Sequence, residues 1–157
     1  MWMNGTDPAQ WYLAAFRRPL DWLQDAPEWA RRWGVLGGVI QFAFASGVLI
    51  PAVALSALVL FSIADYILGT RVADLHDDYD EHKARAGMLA KGATVTLCML
   101  IGVLEVAFWA VLLMASEHAP ERVADVLRGY MPGAVTTAVS LTLAMSEIDS
   151  FDRKVEA

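Results

Sequence analysis

The chain has 157 residues, 57% of them hydrophobic and only 19% charged, with a formal net charge of −6 and a mean hydropathy of +0.42. That composition lies outside the range of an ordinary water-soluble domain of this size, so a membrane protein is the first expectation. The acids gather in Asp74 to Glu81, Glu117 to Asp125 and the C-terminal tail, a pattern of solvated loops that argues against a nucleic-acid surface, and the lone Cys98 rules out a disulfide framework.

Residues 1–33 mix rings with arginines and acids, and five tryptophans fall there, Trp11, Trp22, Trp29 and Trp33 among them. Indole rings favour the headgroup region, so an amphipathic interfacial helix or helix pair is expected, with those four residues as anchors. The alternative is a soluble amphipathic helix packed on a partner. Pro27, two residues after Asp25, reads as a helix start with Asp25 as its cap. Arg31-Arg32-Trp33, a short apolar run and Ala43-Phe44-Ala45 imitate a cleavable signal, but the apolar run continues past Ala45, and no cleavage is expected.

From Trp33 to Ala64 no charge occurs. As one helix, Trp33 to Tyr66 would be about 50 Å long, against a hydrocarbon core of about 30 Å. Ser46-Gly47 and Pro51 loosen the middle, which favours a hairpin with arms near 34–48 and 51–70. The first arm is short enough to be either spanning or re-entrant. Two further apolar segments follow, near 92–115 and 130–147. Four cations precede residue 33, four lie in the central loop, two follow the third segment and two sit in the tail. A hairpin collects ten of the twelve on one side, which is therefore cytoplasmic and holds both termini. The expected fold is an all-α integral membrane protein with four segments, residues 34–157 forming the membrane domain.

Asp65 and Glu147 stand near the cytoplasmic ends of their segments, where a carboxylate reaches water or a helix-end partner. Lys91, at the start of the third segment, is a candidate partner for Asp65. Glu105 stands thirteen residues into its run, and is expected to be protonated or hydrogen-bonded across an oligomer contact. Small residues recur at helical spacing at Gly34 and Gly38, Ala43 and Gly47, Gly129 and Gly133, then Ala134, Ala138 and Thr142. Such stripes allow helices to approach closely, here expected between copies of the chain. Thr136, Thr137, Ser140, Thr142 and Ser146 make the last segment wettable, so it can line water or pack on neighbours.

His76, Asp77, Asp78, Asp80 and His82 have spacings that can suit a metal, but read better as a solvated charge run, and no metal or cofactor is expected. No nucleophile–base, phosphate-loop or metalloprotease motif occurs, so an enzyme is not expected.

Asp65-Tyr66-Ile67-Leu68-Gly69 closing an apolar segment, a basic loop ending KARAGMLAKG, an apolar helix and a final AMSEIDSFDRK together resemble the phage lysis and toxin-secretion holin family. The matching positions are Asp65, Tyr66, Gly69, Gly87, Lys91, Glu147 and Ser150. The likeness covers roughly two thirds of the chain, Leu55 to Val155. The Trp-rich N-terminus and the acidic DLHDDYDEH stretch depart from it.

The resemblance implies a homo-oligomer in the bacterial inner membrane. It would open lesions through which an endolysin passes, with host lysis, or through which a toxin is exported. Two other readings are a non-lytic ion or proton channel using Glu105 and the Thr/Ser face, and an accessory membrane subunit held by the aromatic N-terminus.

Overall fold

The computed structural model describes residues 8–44, 49–76, 79–129 and 132–155, with the side chains at 8–12, 15, 16 and 44 outside the description. Among the described residues the chain is all-α. Its helices are α1 (Pro8–Asp25), α2 (Glu28–Phe44), α3 (Leu49–Leu75), α4 (Glu81–Ser116), α5 (Glu121–Gly129) and α6 (Ala134–Val155).

The four apolar segments correspond to α2, α3, α4 and α6, but the helices outrun them. α4 begins at Glu81, well before residue 92, because Asp80 caps it: its carboxylate accepts from His82 N at 2.8 Å and Lys83 N at 3.4 Å. A cap of this kind satisfies amides that the first turn would otherwise leave unpaired. α3 opens with Pro51 in its first turn, where the missing N–H costs nothing. α1 tolerates Pro19 inside it. α2 starts at Glu28 and runs through the expected boundary at 33/34, so Trp29 and Trp33 belong to α2 and not to a separate N-terminal helix.

α6 occupies the middle of the bundle and packs most extensively on α2 and α3, while α1 and α5 lean on α4. Residue pairing gives the directions. Gly34 faces Thr142 and Gly38 faces Ala134, so α2 runs antiparallel to α6. Gly133 meets Pro51 at one end and Asp65 meets Lys154 at the other, so α3 runs parallel to α6. α2 and α3 are therefore antiparallel, as a fold-back requires; its turn at Ser46-Gly47, and the Gly47 half of its stripe, lie outside the described residues.

The packing of α2 on α6 corrects the small-residue expectation. A Cβ on Gly34 would collide with Thr142 Oγ1 and stand 2.5 Å from the Ala138 carbonyl, and one on Gly38 would stand 2.9 Å from the Ala134 carbonyl. Gly34, Gly38, Ala134, Ala138 and Thr142 form one interface inside the protomer, not a contact between copies. Gly133 adopts φ +115°, a conformation that favours glycine, as α6 begins. Gly129 faces open space.

α3 and α4 are long and apolar enough to cross a membrane, with mean hydropathies of 2.0 and 2.4. Only 22% and 11% of their most apolar windows is buried. Leu60 and Ile63 on α3, and Leu100, Val103, Leu104, Phe108 and Val111 on α4, point outward. The buried centre is small: Leu58, Cys98, Leu143 and Ala144.

Candidate functional site: a buried charge cluster

Four charged side chains from three helices meet at one end of the bundle. α3 supplies Asp65, α4 supplies Lys91, and α6 supplies Glu147 and Lys154. Lys91 Nζ lies 2.5 Å from Glu147 Oε2 and 2.9 Å from Asp65 Oδ2. Lys154 Nζ donates to the same Asp65 Oδ2 at 2.7 Å and to the Asp65 carbonyl at 3.3 Å. The order Glu147–Lys91–Asp65–Lys154 alternates in sign and sums to zero.

Neutrality is what permits the burial. The carboxylate-bearing side chains are 4% and 7% exposed and Lys91 14%, and an unpaired charge so placed would cost several kcal/mol. Ser62, one turn before Asp65 on α3, donates to Glu147 Oε1 at 3.3 Å. The Trp22 ring of α1 lies 5.4 Å from Lys91 Nζ, within cation–π reach, and brings a fourth helix to the cluster. Exposed pairs such as Glu28–Arg32 and Glu81–Arg85 contribute little beside it.

The expected Asp65–Lys91 pairing is present and is half of a larger set. Lys154 is a member beyond the expected pair. A signal existed, because Glu147 and Lys154 are seven residues apart and share a helical face. Trp22 is turned inward onto Lys91 and the core, not outward as an anchor. Trp29 and Trp33 are exposed, and the Trp11 side chain lies outside the described residues.

All seven motif positions converge here. Asp65, Tyr66, Gly69, Gly87 and Lys91 line a cavity of about 300 Å³ between α3, the start of α4 and Lys154. Asp65, Gly87, Lys91, Glu147 and Ser150 line a second, of about 240 Å³, on the Trp22 side. Gly69 leaves room for Lys154: its Cβ would stand 3.2 Å from Nζ.

No protein-family model, characterised protein or solved structure matches the chain.

Glu105 lies apart from this cluster, toward the other end of α6, and the structure corrects the expectation for it. Its Oε1 accepts from Val135 N at 2.9 Å, and its Oε2 accepts from Thr136 N at 2.8 Å and Thr136 Oγ1 at 2.5 Å. A carboxylate of α4 thus caps the first turn of α6, where the helix dipole favours negative charge. Its partner is inside the protomer. Nearby, fully buried Gln41 donates to the Pro132 carbonyl at 3.2 Å.

Between these two ends α6 buries hydroxyls. Thr136, Thr137, Ser140 and Thr142 are all buried; Thr137 Oγ1 makes no hydrogen bond among the described residues, and Ser140 Oγ has only the Cys98 thiol, a weak partner, beside it. Asp80 is engaged as the α4 cap, while Asp77 and Asp78 lie outside the described residues. No group of metal-ligating side chains is assembled among the described residues.

Proposed function

We propose that this chain is a holin-like protein of the bacterial inner membrane that self-associates and opens lesions passing an endolysin or an exported toxin. The charge cluster lies at the cytoplasmic end, and Glu105 and α5 lie at the outer end. The observation that carries the reading is the placement of α6: a hydroxyl-rich helix enclosed by helices whose large apolar side chains face outward. Two of its buried hydroxyls, Thr137 and Ser140, lack an oxygen or nitrogen partner among the described residues, an arrangement that leaves the closed protomer with a helix better suited to water than to its present surroundings.

Lesion formation then consists of exposing α6. The cluster acts as a latch, because separating α6 from α3 and α4 breaks Glu147–Lys91 and Lys154–Asp65 together. In a dry bundle that separation is costly, whereas hydration of all four charges removes most of the penalty. The Gly34/Gly38 interface with α6 must also part. Oligomer contacts in this scheme come from surfaces other than that stripe.

The test is expression from a tightly controlled promoter with and without a cytosolic endolysin lacking its own export signal. The expected result is abrupt depolarisation followed by endolysin-dependent lysis. Depolarisation without lysis would identify a narrow channel instead, and membrane insertion with neither effect would identify an accessory subunit. The channel reading draws no support from Glu105, whose two oxygens are occupied as a helix cap.

A further inference from the structure

We propose that the cavity of about 240 Å³ between Trp22 of α1 and the last turns of α6 is an oxyanion site that takes the phosphate group of a phosphate ester. Ser146, Ser150, Arg153 and Lys154 are its donors. Two sources offer that chemistry: the phosphodiester of a phospholipid and a soluble phosphate. The lipid source uses the membrane placement above, the soluble one does not, and neither uses lesion formation.

Free hydroxyls carry the inference. A serine or threonine inside a helix commonly returns its hydroxyl to a carbonyl one turn back, and Thr94, Thr96 and Thr142 do so. Ser146 and Ser150, one turn apart on α6, do not: neither hydroxyl makes a hydrogen bond among the described residues. Nor are they sealed in as Thr137 and Ser140 are. Both serines are half-buried and line the cavity.

The cations on the same wall have donors to spare. Lys154 has three N–H groups, of which the Asp65 carboxylate and carbonyl take two. Arg153 has five; it engages Asp149 through Nε and Nη2 and keeps its Nη1 pair. The acceptors, by contrast, are engaged. Glu147 receives Ser62 and Lys91, Asp65 Oδ2 receives Lys91 and Lys154, and Asp65 Oδ1 is sealed inside the protein.

In charge the wall is balanced, with Lys91, Arg153 and Lys154 set against Asp65, Glu147 and Asp149. Its surplus is of hydrogen-bond donors. The ligand that matches is rich in acceptors, and a phosphate supplies several oxygens whose charge strengthens each bond. An ammonium group would find no carboxylate oxygen free in this cavity. Water is the competing occupant, and the experiment is set against it.

The experiment is native mass spectrometry of the full chain in detergent with equimolar dioleoyl phosphatidylglycerol and dioleoylglycerol. A second arm follows thermal unfolding in rising inorganic phosphate against chloride of equal ionic strength. The expected result is about tenfold more phosphatidylglycerol retained than dioleoylglycerol, a difference of about 1.4 kcal/mol. Ser146→Ala combined with Ser150→Ala is expected to cut that retention about fivefold, as loss of hydrogen bonds to a charged group implies. Ser56→Ala, at an exposed serine of α3 outside the cavity, should leave it unchanged.

A lipid preference that depends on the two serines supports the site with a phospholipid as its source. Stabilisation by inorganic phosphate that depends on the same serines, without a lipid preference, supports it with a soluble source. Equal retention of the two lipids together with no phosphate effect would overturn the site and leave the cavity to water. Binding of either kind that survives the double serine substitution would overturn it as well, since the anion would then sit elsewhere.

Discussion

α4 and α6 are built in opposite ways. α4 contains the most apolar membrane-length stretch among the described helices and hides little of it; α6 carries hydroxyls, three acids and two basic residues, and is the helix most enclosed by others. In water this distribution would leave a large contiguous apolar surface exposed. It is the inversion that the proposed membrane placement requires, with polar contacts joining helices inside and apolar side chains meeting lipid outside. The contrast also separates two kinds of attachment on α6: a cap at its start, from Glu105, and a charge cluster at its end.

The strongest way to break this contrast is to unbalance the cluster. Lys91→Met leaves Glu147 without a cation and is expected to destabilise the folded protein by about 3–5 kcal/mol, read as a fall in thermal unfolding temperature in detergent. Lys91→Met combined with Glu147→Met restores a balanced Asp65–Lys154 pair, and most of the loss should return. Additive losses in the double variant would show that the two side chains do not act as a pair.

Next in size is the close approach of α2 and α6. Gly34→Ala inserts a methyl where Thr142 Oγ1 and the Ala138 carbonyl already stand, and overpacking of this kind costs about 1–3 kcal/mol. The measurement that sharpens the point is oligomer size beside stability. A protomer interface predicts lost stability at any concentration, whereas an unchanged melting temperature with altered oligomer size would return the stripe to contacts between copies.

Glu105→Leu should cost about 1–3 kcal/mol by removing both acceptors of the α6 first turn. Hydrogen exchange localises the effect: Val135 and Thr136 amides should lose protection while those near Glu147 keep theirs. Loss spread evenly along α6 would mean that the cap and the cluster are one cooperative unit.

What could be read from the sequence follows from the physics of each signal. Length, hydropathy and cation placement announce the helices and the fold-back, and an acid beside Tyr66 and Gly69 at the end of an apolar run announces a partner for Asp65. Glu105 was legible as a group that needs hydrogen bonds, but its donors are amides 30 and 31 residues away, and no periodicity encodes them. Glycine spacing reports that a helix comes close without saying which helix, so it suits another copy as well as α6 of the same chain, which is the helix that packs on Gly34 and Gly38. Lys154 escaped because it lies beyond the apolar segment, where a lysine normally meets water; only its seven-residue offset from Glu147 marks it. The early start of α4 depends on the Asp80 cap, a local signal masked by its acidic neighbours.

The smallest effect addresses what α6 is for. Thr137→Val and Ser140→Ala each remove a buried hydroxyl that has no oxygen or nitrogen partner among the described residues, so the folded protomer should be unchanged or more stable by up to about 1 kcal/mol, since an apolar replacement relieves an unmet desolvation cost. The two effects should add, because neither variant touches the cluster or the cap. If these hydroxyls exist to meet water in the lesion, the combined variant should insert and accumulate normally yet depolarise the membrane later than the parent, stability and activity moving in opposite directions. Unaltered timing would make the hydroxyls a matter of helix packing alone, and the enclosed polarity of α6 would then need a different explanation from the one proposed.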